Sequence, residues 1–97
     1  MKLLTKEIKN KLPKLYETDS QGDSAIAQVK FFHPFSHWTW YALEFDGKDT
    51  FFGYVKSDCP ELGYFNLSEL ESVKVHGLGI ERDMHFEPVP LSEIKGE

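Results

Sequence analysis

Glu44, Asp46, Asp49, Asp58 and Glu61 crowd one stretch of this chain. Carboxylates at that density, with His33 or His85 as a general base, are the groups a metal-dependent hydrolase or nuclease would use. The acids would hold a divalent ion, and the imidazole would take the proton from attacking water. No motif fixes their geometry. Acids are also common here, Asp and Glu making up 16 of the 97 residues. Hydrolysis therefore stands as an alternative reading, with no catalytic residue assigned.

Other chemistry is less well supported. His33 and His37 are four apart and would share a helix face, with Glu44 or His85 as a further metal ligand. Pro34 between them argues against that helix. The acidic stretch Glu17 to Ser24 lacks the one-three-five oxygen spacing and closing Glu of a calcium loop. His76-Gly77-Leu78-Gly79 matches neither phosphate-loop pattern. Cys59 lies in Lys56-Ser57-Asp58-Cys59-Pro60, flanked by acids rather than a base, and reads as inert. No metal and no cofactor is expected.

Binding is the stronger reading. Trp38, Trp40, Ala42, Glu44 and Asp46 recur at every second position, so on a strand they project to one side. Indoles supply large contact area at little entropic cost, and the carboxylates meet donors or cations. Tyr64, on a short segment nearby, joins this set. Such an aromatic and acidic face suits a protein partner. A helix packed over the tryptophans, or a homodimer built on them, would suit it too. The net charge of −5 disfavours phosphate ligands. Lys2, Lys6, Lys9, Lys11 and Lys14 nonetheless cluster near the start, which leaves nucleic-acid binding through a lysine-rich helix and stacking aromatics as a second alternative.

The elements that must position these residues centre on a hairpin. Thr39, Tyr41, Leu43 and Phe45 form the opposite, core-facing set. Asp46-Gly47 is a strong turn signal. A two-residue loop would oppose Glu44 and Asp49, so a four-residue loop is preferred, pairing Leu43 with Phe52 and Tyr41 with Tyr54. A three-residue loop would put Phe51, Gly53 and Val55 on the core face. Ala25 to Phe32 reads as a preceding strand and Ile80 to Glu87 as a later one, with Glu81, Asp83, His85 and Glu87 on one side as an acidic edge. Thr5 caps a helix over 5–12, whose Leu4, Ile8 and Leu12 share a face and which Pro13 ends. Asn66 and Glu69 form a capping box for a helix over 67–72. Leu91 and Ile94 anchor a last turn.

Ninety-seven residues make one domain, 1–97, able to bury roughly 60% of its unfolded surface without staples. A lone cysteine forms no intramolecular disulfide, which fits a reducing compartment. No apolar run is long enough to span a bilayer, and Thr5-Lys6-Glu7 interrupts the apolar start before a signal sequence can form. A cytoplasmic location with no membrane contact is the expectation.

Several stretches carry a resemblance across nearly the whole chain: Met1 to Ile8, Trp38-Thr39-Trp40-Tyr41, Glu44-Phe45-Asp46-Gly47, Asp49-Thr50-Phe51-Phe52-Gly53, Glu61-Leu62-Gly63-Tyr64-Phe65, Ser68-Glu69-Leu70-Glu71 and Ile80-Glu81-Arg82-Asp83. Together they resemble a family of small bacterial proteins, classed as a domain of unknown function and encoded on plasmids, phages and integrative elements. The resemblance supplies no activity and no site residues. It implies a role in transfer, maintenance or evasion of host defences. The expectation is an α+β domain, an antiparallel sheet of four to five strands with two or three short helices. It acts as a non-enzymatic protein-interaction module, in counter-defence in its sharpest form.

Overall fold

A computed structural model describes residues 2–96. The central hairpin forms as the alternation and the Asp46-Gly47 signal require. β3 (Thr39–Phe45) runs antiparallel to β4 (Thr50–Lys56). Gly47 takes φ 88°, a conformation that costs glycine little. Tyr41 pairs with Tyr54 as the longer loop predicts, but Leu43 does not pair with Phe52. The register shifts between Ala42 and Glu44, so that Glu44 opposes Phe52 and Phe45 opposes Phe51.

This bulge corrects the expected sidedness. It turns Phe45 onto the face that holds Ala42 and half-buried Trp40, and Glu44 onto the opposite one. Phe45 then stacks on Phe51 at 4.5 Å, Phe51 stacks on Phe65 at 5.2 Å, and Phe31 meets Phe51 edge-on at 5.6 Å. An unshifted ladder would have placed Phe45 away from that aromatic column.

β2 (Val29–Phe32), β5 (Glu61–Asn66) and β8 (Glu81–Arg82) complete a five-stranded antiparallel sheet in the order β5-β4-β3-β2-β8. Both faces are buried. On the first, Val29, Phe31, Phe45, Phe51 and Phe65 pack under Leu3, Leu4, Leu12 and Leu70. On the second, Tyr41, Leu43 and Tyr54 pack under Ala25, Ala27, Leu91 and Ile94. The fold is α+β, with helices serving both faces.

α1 (Lys6–Lys11) starts at Thr5, whose hydroxyl accepts from the Ile8 N–H at 3.2 Å. Its docking residues are mostly its flanks, because Leu3, Leu4 and Leu12 are buried while Ile8 is only partly covered. Arg82 Nη1 donates to the carbonyls of Lys2 and Leu3, at 2.6 and 3.1 Å, and fixes that flank to β8.

The strand expected over 25–32 is broken. β1 (Ile26–Ala27) pairs with β9 (Val89–Pro90), and only β2 joins the main sheet. The strand expected over 80–87 is likewise reduced to β8. Asp83 accepts from the His85 N–H at 2.9 Å in a turn, which sends Ile80 into the first core and Phe86 against Tyr41 in the second. β6 (Lys74–Val75) and β7 (Leu78–Gly79) form a separate hairpin. His76 and Gly77 form its turn, both at positive φ as a primed turn demands. α3 (Leu91–Lys95) closes the second face.

α2 (Leu67–Ser72) forms over the predicted range but is capped differently. Asn66 makes no capping bond; its Oδ1 accepts from the Thr50 hydroxyl. Asp49 caps the helix from the hairpin loop instead. Its carboxylate takes the Ser68 N–H and hydroxyl, each at 2.8 Å, and its carbonyl takes the Leu67 N–H at 2.8 Å. Asp49→Ala should therefore cost about 1 kcal/mol in urea unfolding, and more than Asn66→Ala. The reverse order would return the cap to Asn66. Among the described residues, no helix is long and apolar enough to cross a membrane.

Candidate binding surface

The expected face of Trp38, Trp40, Glu44, Asp46 and Tyr64 does not assemble as one. Trp38 and Trp40 sit 6.0 Å apart at one end of the first face, Trp38 being 40% exposed and Trp40 half-buried. Asp46 lies at the hairpin tip, lining a groove of about 510 Å³ with Lys9, Leu12 and Lys14. Glu44 is only 1% exposed, on the second face. Tyr64 is on that same face at the β5 edge, 55% exposed. The bulge is the physical reason, since it moves Glu44 off the side occupied by the indoles.

Glu44 works inward. Its Oε1 accepts the Tyr16 N–H at 2.9 Å, and its Oε2 accepts the Thr18 N–H at 2.9 Å and the Thr18 hydroxyl. Tyr16 holds φ 73°, a left-handed conformation unfavourable for a bulky residue. A buried carboxylate thus bonds both sides of a strained loop residue and sets Tyr16 against the sheet.

What Tyr16 meets there is Tyr64. The adjacent Tyr16 phenol, as a hydrogen-bonding neighbour, is the foremost influence that raises the Tyr64 pKa above the usual tyrosine range, followed by desolvation and by the charges of Tyr16, Asp19 and Glu44. Tyr64 also lies 5.1 Å from Phe52, its cross-strand partner. Leu62 pairs with Tyr54 and so projects to the same face, 43% exposed, while Tyr16 itself is 64% exposed. Tyr16, Phe52, Leu62 and Tyr64 therefore form a contiguous aromatic-aliphatic patch. Beside it lies a pocket of about 160 Å³, lined by Leu43, Phe52, Leu62 and Leu91, with Asp19 and Asp23 also on its wall. The alternate spacing of Leu62 and Tyr64 was a sequence signal for this patch. Tyr16 had none, because its placement depends on a buried acid 28 positions away.

Four of the five carboxylates proposed for catalysis are engaged separately, and the fifth stands apart from them. Glu44 holds the Tyr16 loop and Asp49 caps α2. Asp46 accepts the N–H groups of Lys48, Asp49 and Thr50 at 2.8, 2.9 and 3.1 Å. Asp58 binds His37 Nε2 at 2.7 Å on the surface. Glu61 is exposed at the start of β5. Among the described residues, no three His, Cys, Asp or Glu side chains gather to hold a metal ion. His33 is buried, its Nδ1 accepting the Phe35 N–H while Nε2 finds no partner. Asp83, His85 and Glu87 line a pocket with Lys30, whose ammonium stands 3.8 Å from Asp83 and over the Tyr41 ring.

Asp46 makes a testable contribution to the hairpin. The Lys48 N–H foremost, then that of Asp49, lowers its pKa below the ordinary 3.8. A lowered folded-state value means stabilisation that is present above 3.8 and lost as the pH falls through the lowered one. Asp46→Ala should flatten that part of the acid limb in a series of urea midpoints against pH. An unchanged acid limb would show that Asp46 is not linked to folding.

The fold and its surface define a small α+β domain, a sheet layered on both faces, with an exposed aromatic patch at one sheet edge. The chain belongs to the family described as "Protein of unknown function (DUF2958)", whose model matches residues 3–94. No curated protein and no solved structure matches it.

Proposed function

We propose that this domain is a protein-interaction module that engages its partner through Tyr16, Phe52, Leu62 and Tyr64. The observation that carries this reading is the exposure, side by side, of three large side chains over a buried acid that positions one of them. Tyrosine and other aromatics are enriched at interfaces, where they concentrate binding energy. The acidic character expected of the face is kept in Asp19 and Asp23, on the wall of the adjoining pocket. The hydrolase alternative is weakened by the separate engagement of Glu44, Asp46, Asp49 and Asp58. The family resemblance supports a bacterial, cytoplasmic partner concerned with transfer, maintenance or defence of a mobile element.

The test is site-specific photocrosslinking in bacterial cells. A benzophenone amino acid replacing Tyr64 should give a discrete adduct that disappears when Leu62→Asp is added. The same probe at Met84, exposed beyond β8 at the other edge of the sheet, should give none. Equal adducts from both positions would sink the assignment.

A further inference from the structure

β5 ends the sheet and pairs on one side only, with β4. Among the described residues, no backbone bond of the chain reaches its outer edge from another strand. An edge of this kind is a template for an added strand, and domains that avoid pairing blunt it with lysine, proline or a bulge. From Leu62 to Phe65 this edge has none of these. It carries Leu62 and Tyr64 outward on the second face instead.

Two further features describe what would add there. The pocket beside Leu62, about 160 Å³, is close to the roughly 150 Å³ known to hold a benzene ring. It takes one aromatic or branched aliphatic side chain. The charge around it is negative: Asp19 and Asp23 line it, and Glu44 lies buried behind Tyr16. Lys95 offsets Asp23, at 3.1 Å, but leaves Asp19. A second copy of a chain with net charge −5 would bring like charge to this rim.

Resting on the interaction surface proposed above, we infer that the occupant is an extended, basic segment of the partner. It adds to β5 as a sixth strand, seats one apolar side chain in the Leu43–Phe52–Leu62–Leu91 pocket, and sets Lys or Arg against Asp19. Main-chain bonds supply the affinity, and the pocket and rim supply the specificity.

The experiment is selection of a random peptide library, displayed on phage, against the full chain, followed by titration of the enriched peptides made synthetically. The expected peptides are basic, with an aromatic or branched residue flanked by alternating positions. N-methylation at alternate residues, those facing β5, should weaken binding about tenfold, while methylation at the intervening ones should be tolerated. Asp19→Asn should weaken binding several-fold, and raised salt should do the same. Peptides that need Leu62 and Tyr64 but show a flat methylation profile, or carry no basic residue, overturn the strand inference and leave the interaction surface standing. Peptides indifferent to Leu62→Asp and Tyr64→Ala overturn both, provided circular dichroism shows the variants folded. An absence of enrichment overturns the strand inference, with the Tyr64 crosslink then deciding the surface. A concentration-dependent doubling of mass abolished by Leu62→Asp would assign the edge to a second copy and overturn it as well.

Discussion

Glu44→Ala is expected to lower the unfolding free energy by about 3 kcal/mol or more in urea. The carboxylate is 1% exposed and accepts from three donors: Tyr16 N–H, Thr18 N–H and the Thr18 hydroxyl. Removing it leaves both N–H groups without an acceptor and opens a void beside Leu43. Each buried, unsatisfied donor costs about 1–3 kcal/mol. A small domain has only about 5–15 kcal/mol to lose, so the variant should be partly unfolded on warming. Glu44→Gln is the finer probe. Its amide offers one accepting oxygen, so one orientation abandons the Tyr16 N–H and the other abandons the Thr18 N–H. The Thr18 hydroxyl donates to the amide oxygen in the first orientation and turns to accept from the amide nitrogen in the second. The loss should then be about 1–2 kcal/mol. The same variant should release Tyr16, so the Tyr64 phenol should titrate closer to its ordinary range and the Tyr64 crosslink should fade. A Glu44→Ala protein within about 0.5 kcal/mol of the parent would remove Glu44 from the stability of the fold.

Gly53→Ala should be comparably damaging, by about 3 kcal/mol. A Cβ at this position would stand 1.9 Å from the Tyr41 carbonyl oxygen and 2.9 Å from its carbonyl carbon. Both are backbone atoms of β3, so no side chain can swing aside. Relief requires the two central strands to part beside the bulge that orients Glu44 and Phe45. Gly63, paired with Gly53 across β4 and β5, supplies the control. A Cβ there meets nothing within 4 Å, and Gly63→Ala should stay within about 0.5 kcal/mol of the parent. Two adjacent glycines thus separate a steric requirement from a loss of backbone freedom. Equal stabilities for the two alanine variants would show that the strands accommodate the methyl group and that the close approach is not a constraint.

Much of the fold was legible because it rests on local chemistry. Thr5 with Pro13 bounded α1, and Asp46-Gly47 placed the hairpin turn. The 67–72 helix was recovered to the residue, although its cap was assigned to Asn66 when Asp49 supplies it. That error is instructive. A capping box is a local pattern, but a helix terminus accepts whichever carboxylate is nearest in space, and the hairpin loop delivers Asp49 first. The long alternations over 25–32 and 80–87 were overread for a similar reason. Period two continues on paper through Gln28 and Asp83, while in space the chain there passes from one sheet to another or turns.

The candidate surface was half legible. Tyr64 was in the expected set; Leu62, two residues before it on the same side of β5, reads as part of a turn in the sequence and was not. The grouping of Trp38, Trp40, Glu44 and Asp46 failed because alternation was carried across position 43 without interruption. One extra residue reverses every side chain beyond it, and nothing in the local sequence marks where a ladder slips.

The sequence by itself determined the class of the domain, its central hairpin, the limits of its helices and its acidic balance, since each follows from turn chemistry, capping and periodicity within a few residues. The tertiary structure alone decided that both faces of the sheet are covered, that Glu44 is buried as an organiser rather than displayed as a contact, and that Tyr16 joins Tyr64. Those outcomes depend on partners far apart in the chain. A buried carboxylate goes where three donors converge, and Phe45 goes where it can stack on Phe51, itself stacked on Phe65; only the folded chain satisfies both demands at once, and the bulge at Leu43 is how it does so.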